Sequence, residues 1–185
     1  GHYDVALNGR GVAQALETAR AVAEWQHTAV YSSPLNRAMQ VAQEISNLSG
    51  KPVVPVDYFM ELSLGDLEGV TGQELRRGWP ELYTTWRGNP GAAVMPNGES
   101  LVQLQERAWS ALMDLEQKHG ADEAVIVVSH NFAIRTMIGK LLGVPLANFH
   151  RMSLNLASIC VIECDQRGRR LVSYNSVHHL SPENR

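Results

Sequence analysis

The segment Ala124-Val-Ile-Val-Val-Ser129 constrains the fold more than any other part of the chain. A run that is apolar on both faces of a strand does not suit a half-solvated sheet; it suits the interior of a parallel sheet covered by helices on both sides. A helix follows at once. His130 stands at the C-terminal end of the strand, Asn131 is placed to cap, and Ala133 to Leu142 carries helical periodicity until Gly143 closes it. Parallel strands are joined by crossovers, so the rest of the chain should alternate strands with helices.

The alternation is there. Asn8 is placed as the N-cap of an amphipathic helix over Val12 to Trp25, where Val12, Ala15, Leu16, Ala19, Val22 and Ala23 recur at helical spacing. Thr28 to Ser33 reads as a strand ending on two hydroxyls, and Ser33-Pro34 as a helix start, serine capping and proline in the first turn, of a helix running to about Leu48. Pro52 to Val56 is a further strand and Ser100 to Lys118 a long amphipathic helix. Ser158 to Glu163 and Arg170 to Ser176 are two last strands joined across Asp165-Gln-Arg-Gly168. The expectation is an α/β fold, a three-layer α/β/α sandwich around a mostly parallel central sheet, as one domain over residues 1–185. Residues 57–99, rich in Gly, Pro, Trp and Tyr and poorly periodic, read as a substrate-site excursion, with a capping box at Thr71-Gly-Gln-Glu74 and a Pro-started helical turn at Pro80 to Arg87.

Sixteen Lys and Arg against nineteen Asp and Glu give a net charge of -3. That is no footprint for nucleic acid or an anionic membrane, so affinity for phosphate has to come from a local site. No apolar run approaches the ~20 residues that span a bilayer, and no signal segment opens the chain. Cys160 and Cys164, four apart on one strand, read as reduced core thiols sharing a face, which fits a cytoplasmic protein. His27 and His119 follow helices and read as solvated.

In open α/β sheets ligands bind beyond the carboxyl ends of the strands, where helix N-termini supply amide donors. Two junctions fit this rule, Tyr31-Ser-Ser-Pro-Leu-Asn-Arg37 and Val127-Val-Ser-His130-Asn131. Arg37, about one turn into its helix, either grips an oxyanion or pairs with a nearby acid on the surface. His130 is either a site imidazole or a hydrogen-bonded core histidine.

The motifs at these junctions resemble those of the histidine phosphatase superfamily, the phosphoglycerate mutase-like branch. Val-Tyr-Ser-Ser-Pro-Leu-Asn-Arg37-Ala is similar to the SSPLxRA signature, with Gln40-Val41 in place of the usual Gln-Thr. Glu61-Leu-Ser-Leu-Gly65-Asp-Leu-Glu68-Gly69 resembles ExxxGxxEG, Gly98-Glu-Ser100 resembles GES, and Val-Val-Ser-His130 resembles VSHGG. Upstream, Gly1-His-Tyr-Asp4 through Gln14-Ala resembles GxxDxPLTxxGxxQA. The five motifs occur in the family's order over residues 1 to about 135.

The resemblance implies a metal-independent phosphomonoesterase that works through phosphohistidine and needs no cofactor. Arg37 and His130 would clamp the phosphoryl oxygens, and Glu61 would donate the proton to the leaving alcohol and then activate water, for which it needs an apolar setting. Asn131, where many relatives have glycine, would either donate to phosphate or cap its helix, and Gly1, His2 and Tyr3 match a substrate-facing loop. Glu68 is the more structural acid of the two, and His150, His178 and His179 are candidates for the leaving-group side. The family's Arg-His-Gly triplet, whose histidine accepts the phosphoryl group, precedes the segment that opens this sequence and is expected in the full protein, on a strand within roughly two dozen further residues. The expected partner is a small phosphomonoester, with neither nucleic acid nor membrane, and homodimer formation is left open. A cofactor-dependent phosphoglycerate mutase is the first alternative, although its longer insertion after the glutamate segment is missing. A phosphate-binding pseudoenzyme is the second.

Overall fold

A computed structural model of the protein describes residues 1–120 and 122–185. In chain order the elements are α1 (Gly9–Ala23), β1 (Ala29–Ser32), α2 (Asn36–Ser49), β2 (Val53–Pro55), α3 (Gly72–Gly78), α4 (Pro80–Gly88), α5 (Leu101–Lys118), β3 (Val125–Val128), α6 (Asn131–Leu141), β4 (Ile159–Asp165) and β5 (Gly168–Ser176). The sheet β2-β1-β3 is wholly parallel, with Val30 opposite Val53 on one side and Ile126 on the other. Alternate residues of its strands face opposite cores, as a period of two requires. Val30, Ile126 and Val128 pack with Ala19 and Val22 of α1 and Ala42 and Ile45 of α2. Ala29, Tyr31, Val125 and Val127 pack with Phe59, with Ala108, Ala111 and Leu115 of α5 and with Met137 of α6. The layers are thus helix pair, sheet, helix pair.

The last two strands stand apart from this sheet. β4 and β5 form their own antiparallel pair. Ile159 at the start of β4 packs in the same core as Ile126 and Val128. Yet among the described residues β3 pairs along one edge only, and its four residues are each half-buried. Irregularities at Ile159–Ile162 break the alternation of β4, so Cys160 is half-buried and Cys164 exposed rather than both being core thiols on one face.

Two helix starts also differ. Asn8 caps α1 as expected, its side chain accepting from Gly11 N at 2.9 Å. Ser33 does not cap α2, because the chain bends at Pro34-Leu35, Leu35 takes the extended cap position and the helix begins at Asn36, whose N–H donates to the Asp4 carboxylate at 2.7 Å. Likewise Asn131 is the first residue inside α6, with His130 in the extended cap position.

Residues 57–99 are better ordered than their weak periodicity suggests. Leu62, Leu67, Ala93 and Met95 form a third core with Leu101 and Leu104 of α5, and Trp79, Leu82 and Trp86 of the α3–α4 pair pack against it. The glycines of two motifs meet here: Gly65 has φ +53°, a Cβ on it would strike the Pro96 carbonyl, and a Cβ on Gly98 would strike that of Ser63. His27 is buried and His119 hydrogen-bonds the buried Tyr31 hydroxyl at 2.8 Å, so neither is solvated; a helix end that docks on the sheet carries its last side chains inward. No helix of the described residues is long and apolar enough to cross a membrane.

Candidate active site

The site is built from the loops at the carboxyl ends of β1 and β3 together with the turn that carries Glu61. The parallel pairing of β1 and β3 ends both strands at one edge, with Ser33 N donating to Val128 O at 2.9 Å, and this sets Ser33 beside His130. The imidazole Nε2 and Ser33 Oγ lie 2.7 Å apart. Burial first, and then the nearby charge of Arg37, push His130 down to about 3, so at neutral pH the ring is uncharged. Arg107 adds to the effect.

Arg37 extends from the first turn of α2 along residues 1–3, donating from Nη2 to Gly1 O at 2.7 Å and from Nη1 to Tyr3 O at 3.1 Å. The opening segment is held from its other side by Glu68, whose carboxylate accepts from the N–H groups of His2 (2.6 Å), Tyr3 (3.0 Å) and Leu64 (3.0 Å). Burial pushes the Glu68 carboxyl up, but these three backbone bonds outweigh it and keep the group below the ordinary carboxylate range. Glu68 is therefore a structural acid that ties the opening segment to the excursion. Tyr3 leaves 71% of its surface exposed.

Glu61 is 8% exposed. Its Oε1 accepts from Leu62 N at 2.9 Å, and its Oε2 from Phe132 N at 3.1 Å, one of the free amides in the first turn of α6. The residue after His130's helix start thus orients the carboxyl. His2 Nε2 comes within 2.7 Å of Glu61 O, so the structure brings Gly1, His2, Tyr3, Arg37, Glu61 and His130 together at one edge of the sheet. Chemically the edge offers a fixed cation, a neutral imidazole and an acid shielded from water.

Asn131 sits beside this group with its amide already engaged. Nδ2 donates to Leu154 O at 2.7 Å, and Oδ1 accepts from Arg135 at 2.9 Å. His150 Nε2 donates to Trp86 O (2.7 Å), and His179 pairs with Thr18 of α1 (3.1 Å), bordering a depression of about 460 Å³ lined by Glu17, Arg20 and Ser181. Three contributors escaped the sequence reading: Ser33 as a partner of His130, Arg107 of α5, and Arg135 of α6, which is 9% exposed and stacks 3.7 Å from the centre of the Phe149 ring. A signal existed for both arginines. Arg135 falls on the buried stripe of α6 and Arg107 borders that of α5, next to Leu104 and Ala108, where a charged residue needs built partners.

The model of the histidine phosphatase superfamily (branch 1) matches residues 1–177. Phosphoserine phosphatase 1 of Hydrogenobacter thermophilus is 31% identical over 180 residues, covering 97% of this chain and 85% of that protein. The metal-independent phosphoserine phosphatase of Arabidopsis thaliana is 32% identical over 184 residues, covering 98% and 75%. Among solved structures, mycobacterial glucosyl-3-phosphoglycerate phosphatase superposes with a TM-score of 0.85 at 26% identity, over 95% of this chain and 89% of that one. YhfR of Bacillus stearothermophilus shares the fold at a TM-score of 0.90, with 24% identity over 95% and 87% of the two chains. A match over nearly the whole length, in a chain whose motifs gather at one sheet edge, leads to one conclusion: the chain belongs to branch 1 of the histidine phosphatase superfamily.

Proposed function

We propose that the full-length protein hydrolyses small phosphate monoesters through a phosphohistidine intermediate. Its class, a phosphoric monoester hydrolase, rests on the family match and on relatives named as phosphatases. The observation that carries the mechanism is the convergence of Arg37, His130 and the buried Glu61 beyond the ends of β1 and β3. Arg37 and neutral His130 hold the phosphoryl oxygens, where positioned charge and hydrogen-bond donors stabilise the transition state. A histidine nitrogen from the preceding Arg-His-Gly segment attacks phosphorus, the P–O bond to the alcohol breaks, and Glu61 gives its proton to the departing oxygen. Glu61, now a carboxylate, takes a proton from water, whose oxygen displaces the histidine and releases inorganic phosphate. The edge of β3 that is unpaired among the described residues supports this placement of the nucleophile, since a half-buried apolar Val-Ile-Val-Val edge suits a further parallel strand.

The substrate proposed is a monoester of a small hydroxylated compound such as phosphoserine, a sugar phosphate or phosphoglycerate, the class to which the relatives' names point. Rapid quenching of the full-length protein during turnover should trap protein-bound phosphate that is labile to acid and stable to alkali. Hydrolysis across a panel of these monoesters with no such species would refute the phosphohistidine route. Inertness toward the whole panel would refute the activity.

A further inference from the structure

Arg107 lies in the middle of α5 and does not touch the carboxyl of Glu61, yet all five of its N–H donors serve the segment that carries it. Nε and Nη2 donate to the two oxygens of Glu99 at 2.7 and 2.8 Å. Nη1 donates to the carbonyls of Tyr58 (2.8 Å) and Met60 (2.9 Å), and Nη2 to the carbonyl of Glu61 itself (2.8 Å). Glu99 completes the grip by accepting from Ser63 N at 2.9 Å. Four backbone groups between residues 58 and 63 are thereby fixed by one ion pair whose side chains are only 16% and 21% exposed. Burial pushes the Glu99 carboxyl up, but Arg107 and the Ser63 N–H overcome it and hold the group below the ordinary range, so the pair is ionised at neutral pH.

We infer that the Arg107–Glu99 pair is a positioning clamp for the proton donor, fixing the backbone from which Glu61 aims its carboxyl at the leaving-group oxygen. The inference rests on the reading of Glu61 as that donor. Its physical basis is that proton transfer demands hydrogen-bond reach, and a displacement of about 1 Å in a catalytic group costs on the order of 10²-fold. A planar guanidinium with five fixed donors meets five acceptors at once. Lysine, with three donors on a flexible stem, keeps the charge and loses the geometry.

The test uses the full-length protein and exploits what a proton donor does. An alkyl phosphate expels a basic alkoxide and needs the proton, whereas a nitrophenyl phosphate expels a stable phenolate and does not. Glu61→Gln should lose kcat/KM, which reports only the half-reaction that expels the alcohol, on the alkyl ester and keep most of it on the nitrophenyl ester. Arg107→Lys should reproduce that selectivity, with about a tenfold loss in kcat/KM on the alkyl ester and a much smaller one on the nitrophenyl ester. Equal losses on both esters, or none on either, in a variant whose Glu61→Gln counterpart shows the selectivity would overturn the clamp and leave the donor assignment standing. Absence of selectivity in Glu61→Gln removes the donor assignment and the clamp with it. Should Arg107→Lys fail to fold, Glu99→Gln, which removes the charge of the anchor and keeps its shape, is judged by the same criterion.

Discussion

The two strand-to-helix junctions of the sheet solve the same problem with different partners. In each, the first turn of a helix presents unpaired amides at the edge of the sheet, and in each a carboxylate from a distant loop accepts one of them. At α2 the acceptor is Asp4, exposed, bonding Asn36 through both its backbone N–H (2.7 Å) and its side chain (2.8 Å). At α6 the acceptor is Glu61, buried, bonding Phe132 N at 3.1 Å. Asp4 fastens the opening segment so that Arg37 meets it. Glu61 is the proposed proton donor, and the helix that starts at His130 holds it. One backbone device serves assembly at one junction and, in the proposed mechanism, chemistry at the other.

Substitution of these residues should separate the two roles. Glu61→Gln is expected to lower kcat on an alkyl phosphate by roughly 10²–10⁴-fold, while Asp4→Asn, measured in the same steady-state assay, leaves kcat at the wild-type value. Comparable losses in the two variants would erase the distinction. His130→Ala should lower kcat/KM by at least about tenfold, and unchanged kinetics would remove the imidazole from the phosphate clamp.

The pH dependence of stability should distinguish the junctions too. His130 is held down to about 3 in the folded state by burial and by Arg37, against about 6.5 for an unfolded histidine. Between these values the unfolded chain binds a proton that the native chain refuses. His130 therefore costs the fold nothing above about 6.5, and stability is lost as pH falls below that value toward 3. Urea unfolding at neutral pH and at mildly acidic pH should show a smaller acid loss in His130→Gln than in the wild type; identical losses would mean that other groups account for it. The smallest effect is expected at the α2 junction: Asp4→Ala should destabilise the protein by about 1 kcal/mol in thermal or urea unfolding, the ordinary worth of a lost helix cap.

Much of this architecture is legible in the residues because its causes are local. The capping box at Thr71, the Asn8 cap and the alternation of strands with amphipathic helices depend on neighbours within four residues, and the structure reproduces them. The resemblance to the family was legible for the same reason, since each motif is a short string of adjacent residues. Ser33 was misread because its local signal, serine before proline, competes with a carboxylate 32 residues upstream of Asn36 that takes over the start of the helix. His119 and Cys164 were misread because docking of a helix end and a bulge in a strand change exposure without changing the local pattern.

The sequence by itself thus determined the fold class, the parallel core strand, the membership suggested by motif order, and the candidates Arg37, Glu61 and His130. Only the tertiary structure decided how they work together. It set Ser33 against His130, hung Glu61 from an amide 71 residues away, engaged the Asn131 amide with Leu154 and Arg135, and used Arg107 to grip the acid loop. The reason is physical. A residue's type and spacing state what it is able to donate or accept, but a buried hydrogen bond forms with whichever group the packing of distant segments brings within about 3 Å.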